Sequence, residues 1–144
     1  KIVPEGLKRT GMPYTDRKYT VHELPEPLQG LTLLQTKNGH KGVKDEQFRI
    51  VLSVDKPAYL FLAIDDRMVR LWHRDGTPEW IKEFSPTDYR IVTDDPTMQE
   101  QRPYQVVVKP VPAGETKLGP PWNQTQPVPA YSMYFGFVGN GEPD

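Results

Sequence analysis

The sequence predicts an all-β protein whose fold is an antiparallel β-sandwich of seven or eight short strands. The 144-residue chain contains 16 prolines, and a proline inside a helix costs about 3 kcal/mol, so the composition favours short strands joined by stiff loops. Turn signals follow one another at the short intervals typical of sandwiches, and no segment has a strong amphipathic helical period. A closed barrel is the alternative architecture.

Two neighbouring segments carry the clearest strand patterns. In Gln47–Asp55 apolar and polar residues alternate with a period of two, which indicates a strand with one buried face. Ala58–Ile64 is apolar on both faces, as expected for a central strand that is covered from both sides. Because only Lys56-Pro57 separates the two segments, we expect an antiparallel hairpin at the centre of the fold.

The rest of the chain has weaker patterns. Asp65–Trp72 is ambiguous, Arg70–Pro78 and Asp94–Pro103 resemble loops, and Glu79–Phe84 resembles a single helical turn. Pro110 is expected to place the end of its strand at an edge or a bulge. The other expected strands are Lys18–Leu24, Leu31–Thr36, Tyr89–Thr93, Tyr104–Val111, Thr116–Leu118 and Ala130–Val138.

Size and charge limit the class of protein. A chain of 144 residues can form one domain with its own core. The net charge is −1 and the pI is about 6.4, without the basic face of a nucleic-acid binder, and no apolar run approaches the ~18 residues of a membrane span. We therefore expect neither a nucleic-acid partner nor membrane insertion. The absence of cysteine excludes disulfides and thiolate metal sites.

These limits predict a single sandwich domain over residues 1–144, with an entry arm at 1–17 and a tail at 139–144. No signal peptide is visible, yet the chain starts at Lys1 rather than at a methionine. We interpret this as a segment excised from a longer secreted protein.

Seven short motifs are spread over most of the chain. They are Tyr14–Thr20, Leu24-Pro25 with Leu28–Gly30, Thr36–Asn38, Ala63–Arg67, Pro78–Ile81, Pro112–Gly114 with Leu118-Gly119, and Ser132–Tyr134. In this order and at this spacing they resemble a family of accessory β-sandwich modules, of the jelly-roll or galactose-binding-like type, found in large secreted bacterial proteins. Such modules often lie beside polysaccharide-degrading catalytic domains.

The resemblance implies a non-catalytic module in a bacterial protein that is secreted or associated with the cell envelope. It also implies that the partners are a polysaccharide or the neighbouring domains of the parent protein, and it names no particular ligand. Two features depart from the family pattern. The segment Met68–Thr77 is longer than the usual link, and the Pro-rich loop Gly119–Pro129 contains an extra Pro-Pro-Trp.

Motifs for catalysis are missing. The sequence has no Gly-x-Ser-x-Gly, phosphate-binding or dinucleotide-binding motif, and its three histidines lack the spacing of metal ligands. Glycoside hydrolysis needs two facing carboxylates, whereas the residues of the adjacent pairs Asp65-Asp66 and Asp94-Asp95 would point to opposite faces of a strand. We therefore expect no enzyme activity, and a hydrolase is the third hypothesis.

The same four carboxylates are candidates for a structural calcium ion. Calcium takes six to eight oxygen ligands from carboxylates and loop carbonyls, and Asp65, Asp66, Asp94 and Asp95 lie next to expected turns. No other cofactor is expected. The alternative for Asp66 and its neighbour Arg67 is an ion pair that braces the end of the preceding strand.

Tryptophans in polar loops point to carbohydrate binding, because exposed aromatic rings stack on sugar faces while nearby polar groups bond to hydroxyls. Trp72 has Arg70 and His73 beside it, and Trp122 is followed by Asn123. These five residues are the candidate ligand-binding set. For both tryptophans the alternative is a role in anchoring a loop, and for Trp80 we expect core packing.

The leading functional hypothesis is that end loops of the sandwich bind carbohydrate or a cell-surface ligand. The second hypothesis is a structural or protein-docking module that spaces neighbouring domains. A concave cluster of aromatic and polar side chains would favour the first hypothesis, and an exposed apolar patch would favour the second.

Overall fold

The structure is a computed structural model that describes residues 1–7, 11–16, 19–36, 50–96, 99–121 and 133–139. Within these residues the chain forms nine strands and one α-helix. The strands are β1 (Ile2–Val3), β2 (Thr20–Glu23), β3 (Thr32–Leu34), β4 (Ile50–Val54), β5 (Ala58–Asp65), β6 (Ser85–Asp95), β7 (Glu100–Val111), β8 (Gly114–Leu118) and β9 (Phe135–Gly139). The helix α1 spans Asp66–Asp75, and short 3₁₀ turns lie at Glu26–Leu28 and Glu79–Ile81.

Seven of these strands form one antiparallel sheet, the large sheet, in the order β1-β3-β9-β5-β7-β6-β2. The other two, β4 and β8, pair with each other in a small sheet. This arrangement confirms the predicted all-β, sandwich-like fold.

β5 lies at the centre of the large sheet, between β9 and β7. The side chains of Leu60 and Leu62 on one face and of Phe61 and Ala63 on the other are all buried. The prediction of a central strand covered on both faces is therefore confirmed. The helical turn expected near Glu79 is confirmed as the second 3₁₀ turn.

The predicted hairpin between β4 and β5 is wrong. The period of two in β4 is real, since Leu52 is buried while Val51 and Ser53 are exposed. However, β4 pairs with β8 in the small sheet and not with β5. The turn after Val54 carries the chain from one sheet to the other. A period of two specifies which face of a strand is buried, but not which strand lies beside it.

The prediction of a loop over Asp94–Pro103 is also wrong, because β6 and β7 extend through most of this segment. Their ladder continues to the pair Asp95–Glu100. Both prolines of β7 lie where the strand has one neighbour. Pro103 pairs only with β6, because β5 pairs with β7 from Tyr104 onwards. Pro110 pairs only with β5, because the pairing with β6 ends at Val108. A strand tolerates proline where one side makes no ladder hydrogen bonds, so the predicted edge position of Pro110 is confirmed.

The helix α1 replaces a segment that the sequence leaves ambiguous or loop-like. Asp65 caps its start, where Oδ1 accepts a hydrogen bond from the backbone N–H of Arg67 at 2.9 Å. Gly76, with a φ of 104°, ends it. Met68 and Trp72 lie four residues apart on one face and are buried, and the helix contacts β5 and β7. No described helix is long and apolar enough to cross a membrane.

The N-terminal segment joins the core through Tyr14. This side chain is fully buried, and its ring meets that of Phe135 edge to face at 5.5 Å. Its hydroxyl forms a hydrogen bond with the hydroxyl of Tyr104 at 2.9 Å and donates one to the carbonyl of Met133. The segment expected to be an entry arm thus supplies part of the core.

Truncation of the central strand should destabilise the protein strongly. Leu62→Ala leaves a cavity at a fully buried site, so we expect a loss of about 2–5 kcal/mol in the free energy of unfolding. Val51→Ala, at a site that is 49% exposed, should change it by less than about 0.5 kcal/mol. Urea denaturation of both variants checks the ranking, and equal losses would contradict the placement of these strands.

Candidate functional site

A wide bulge interrupts the pairing of β6 with β7. The register shifts between Pro86 and Arg90, so that the three residues Thr87–Tyr89 lie opposite Val106 alone. β2 pairs only with the stretch Val92–Asp94 of β6. The bulge precedes this stretch, so it lies at a free edge of the large sheet. Bulges of this kind are common beside functional sites, where they redirect side chains.

The hydroxyl of Thr87 replaces backbone hydrogen bonds that are missing at the bulge. Its Oγ1 donates a hydrogen bond to the carbonyl of Val106 at 2.7 Å and accepts one from the backbone N–H of Tyr89 at 3.1 Å. Two backbone groups that lose their ladder partners at the bulge are satisfied in this way. The bulge is therefore held in a defined conformation and is not a frayed edge.

Beside the bulge lies a groove of about 340 Å³, which we call the bulge groove. Its volume is within the lower range of small-molecule sites. The polar side chains that line it come from the start of α1, from the bulge and from β7, and they are Asp66, Arg70, Asp88, Arg90 and Gln105. The half-buried Tyr89 also lines the groove, and its ring lies 6.2 Å from that of Phe61.

The polar groups of the bulge groove differ in how they are paired. Asp66 is held by Arg70, with Nη2 and Oδ2 at 2.5 Å, and by the amide nitrogen of Gln105, which donates to Oδ1 at 2.6 Å. Asp88 and Arg90 flank Tyr89 and are exposed, and neither forms an ion pair with another described residue. The guanidinium of Arg90 and the carboxylate of Asp88 are therefore available to a ligand.

One predicted ligand-binding residue lies in this groove. Arg70 projects from α1 with three quarters of its side chain exposed. His73 is exposed one turn further along the same helix, outside the lining of the groove. Trp122 and Asn123 lie outside the described residues, so their predicted roles remain predictions.

Trp72 is not in a loop, and this part of the sequence interpretation is wrong. Its side chain is on α1 and is 6% exposed. Its indole nitrogen donates a hydrogen bond to the carbonyl of Pro121 at 3.1 Å. A buried ring has no free face to stack on a sugar. The position of Trp72 therefore fits the alternative role, which is to anchor the Pro-rich loop that starts at Gly119.

Trp72 is one of three aromatic donors that hold the segment Gly119–Pro121, an arrangement we call the aromatic clamp. The indole nitrogen of Trp80 donates to the carbonyl of Pro120 at 2.9 Å, and the hydroxyl of Tyr134 donates to that of Gly119 at 2.7 Å. All three residues of the segment are buried. Burial raises the pKa of the Tyr134 phenol, so it remains protonated as a donor.

The four predicted calcium ligands are separated into two pairs. Asp65 ends β5 and Asp66 begins α1, whereas Asp94 and Asp95 end β6, and β7 lies between β5 and β6. Asp65 pairs with Tyr104 of β7, whereas Asp94 and Asp95 pair with Gln101 and Glu100 of the same strand. These positions of β7 are three to four residues apart, which is about 10 Å along a strand. No group of three or more His, Cys, Asp or Glu side chains in the described residues could hold a metal ion.

Each of these carboxylates has a basic neighbour instead. Arg67 donates to both oxygens of the buried Asp65, from Nε at 3.2 Å and from Nη2 at 2.8 Å, so the predicted ion pair of Arg67 is made with Asp65 and not with Asp66. Arg102 Nη2 lies 3.2 Å from Asp95, and His22 Nδ1 lies 3.4 Å from Asp94. The two arginine ion pairs, Arg67 with Asp65 and Arg102 with Asp95, brace the ends of β5 and β6.

A second groove, of about 660 Å³ and lined by both apolar and polar side chains, separates the small sheet from the edge of the large one. Ile2, Leu34 and Val138 line one side, and consecutive residues of β4 line the other. Ile2 and Val51 are each 49% exposed. We call this the inter-sheet groove.

The sequence interpretation missed Asp88, Tyr89, Arg90 and Gln105 as a group. The available signal was Pro86, because a proline inside a strand indicates a bulge. The sequence alone places this proline outside the strand, which was expected to start only at Tyr89.

Loss of one donor from the aromatic clamp should destabilise the protein. Trp72→Phe keeps an aromatic ring but leaves the buried carbonyl of Pro121 without its donor, which costs about 1–3 kcal/mol. His73→Ala, at an exposed site on the same helix, should cost less than about 0.5 kcal/mol. Chemical denaturation measures both, and a Trp72→Phe variant as stable as the wild type would contradict the clamp.

The bulge should depend on the hydroxyl of Thr87. Thr87→Val keeps the shape of the side chain but removes both hydrogen bonds, so we expect a loss of about 1–3 kcal/mol in the free energy of unfolding. Thr87→Ser retains the hydroxyl and should recover most of this loss. If the Ser and Val variants prove equally unstable, the hydroxyl does not hold the bulge.

Comparison with known proteins gives one informative likeness. The chain matches no known protein-family model, and it has no significant match among curated proteins. Among solved structures its fold is similar to part of a β-glucuronidase from glycoside hydrolase family 2, with a TM-score of 0.77 and 14% sequence identity. The match covers 99% of this chain and 14% of that chain. The chain thus has the fold of a small part of a much longer carbohydrate-active enzyme.

Proposed function

We propose that this chain is a non-catalytic accessory module that binds carbohydrate through the bulge groove. The observation that carries the proposal is the lining of the groove, where exposed donors and acceptors surround a half-buried tyrosine. Sugar sites combine an aromatic surface with polar groups that bond to hydroxyls. The proposed site is at an edge of the large sheet and not in the end loops that the sequence suggests. Of the predicted ligand-binding residues it includes Arg70.

The likeness to a segment of a glycoside hydrolase supports this proposal. The solved β-glucuronidase contains the fold as 14% of its chain, which fits a module that serves a larger carbohydrate-active protein. We extend this to a parent protein that is bacterial and is secreted or attached to the cell envelope.

The state of the two carboxylates in the groove supports a non-catalytic role. Hydrolysis of a glycosidic bond requires an acid and a second carboxylate that face each other. Both oxygens of Asp66 already accept hydrogen bonds or ion pairs from Arg70 and Gln105. Asp88 is then the one groove carboxylate without a partner among the described residues.

The inter-sheet groove favours a second candidate function, docking against a neighbouring domain. Exposed apolar side chains that face a common groove often mark interaction surfaces, and here Ile2 and Val51 do so. Carbohydrate binding should be weakened by substitutions in the bulge groove, whereas docking should be weakened by substitutions in the inter-sheet groove. Variants of the two grooves therefore separate the two functions.

Affinity electrophoresis in gels that contain mixed-linkage β-glucan, galactomannan or polygalacturonate tests the proposal. We expect at least one polysaccharide to retard the wild-type protein. Arg90→Ala should weaken binding about 2- to 10-fold, the equivalent of about one lost hydrogen bond, without a change in the free energy of unfolding.

Val51→Ser in the inter-sheet groove is the matched surface control and should bind like the wild type. If no polysaccharide retards the protein, or if Arg90→Ala binds as well as the wild type, the bulge groove is not the binding site. Loss of binding in Val51→Ser alone would move the site to the inter-sheet groove.

A further inference from the structure

The charges that line the bulge groove cancel. Asp66 and Asp88 contribute two negative charges, and Arg70 and Arg90 contribute two positive ones. Asp66 and Arg70 neutralise each other directly at 2.5 Å. The charges of the described lining residues therefore sum to zero, so these residues provide no net positive charge that would attract an anionic ligand.

The hydrogen-bonding capacity that remains is divided between donors and acceptors. Arg90 offers N–H donors, and Arg70 keeps those that do not reach Asp66. Asp88 offers carboxylate oxygens, and Gln105 keeps its amide oxygen because its nitrogen is used on Asp66. A sugar hydroxyl both donates and accepts, so a neutral sugar can use both kinds of group.

A carboxylate on the ligand would use the groove less well. It accepts hydrogen bonds but donates none when ionised, so the oxygens of Asp88 would lose their partners. It would also lie close to the like charge of Asp88, whereas the charge of Asp66 is neutralised by Arg70. A site discriminates against a competitor by such repulsion and by polar groups left unpaired.

We propose that the bulge groove takes a neutral sugar and discriminates against uronic acids, with Asp88 as the residue that sets this specificity. This inference rests on the proposed function. Arg70 does not reverse the preference, because Asp66 neutralises it. The charge of Arg90 is offset by the equal and opposite charge of Asp88 in the same groove, although the two side chains form no ion pair.

The test uses one polymer in two charge states. Mixed-linkage β-glucan and galactomannan are each prepared in native form and after selective oxidation of the C6 hydroxyls to carboxylates, and binding is measured by affinity electrophoresis. We expect the oxidised form to bind about tenfold more weakly than the native form. Asp88→Asn removes one negative charge but keeps the shape, so it should reduce this difference to less than about threefold.

Asp55→Asn is the matched control, since Asp55 is an exposed carboxylate at the inter-sheet groove, and it should leave the tenfold difference unchanged. Equal or tighter binding of the oxidised form, or retardation by polygalacturonate alone, would overturn the inference and leave the proposed function standing. If Asp88→Asn and Asp55→Asn reduce the difference in binding between native and oxidised polymer equally, the role of Asp88 is overturned. Absence of retardation by every native and oxidised polymer and by polygalacturonate would overturn the proposed function as well.

Discussion

Three consecutive buried carbonyls, those of Gly119, Pro120 and Pro121, need hydrogen-bond donors that the segment itself cannot provide, because two of its residues are prolines without an N–H. The aromatic clamp meets this need with one donor from α1, one from the 3₁₀ turn at Glu79–Ile81 and one from the residue before β9. A Cβ on Gly119 would lie 2.8 Å from the indole of Trp80, so only glycine allows this close approach. The clamp thereby joins the segment Gly119–Pro121 to α1, to the second 3₁₀ turn and to the residue before β9.

The same contacts position the candidate site. α1 is fixed at its N-terminus by the cap of Asp65 and near its C-terminus by Trp72 in the clamp. The first turn of the helix is thus held against β7, where Asp66 accepts a hydrogen bond from Gln105 and pairs with Arg70. On the other side the bulge is held by the hydroxyl of Thr87. The groove therefore lies between two rigid elements, which limits the entropy lost when a ligand binds.

Local patterns in the sequence predicted local features well. The alternation in β4 and the doubly apolar β5 identified their buried faces, and Pro110 marked a position with a single neighbour. Features that depend on distant partners were not predictable in this way. The pairing of β4 with β8 leaves no signal in either strand. For α1 a signal was present and was missed: Met68, Val69, Leu71 and Trp72 have the spacing of one helical face, between the capping Asp65 and Gly76. Trp72 has polar neighbours in sequence but apolar ones in space, and the groove forms from three segments that only the folded chain brings together.

We propose that carbohydrate binds at the bulge groove and not elsewhere on the sandwich. The most direct measurement is a titration of the ¹⁵N-labelled protein with an oligosaccharide of mixed-linkage β-glucan, in which the backbone amide shifts are followed by NMR. We expect the shifted amides to cluster at Thr87–Arg90, at Gln105 and in the first turn of α1. Shifts centred on Ile2 and on β4, or no saturable shift at any concentration of the oligosaccharide, would contradict it.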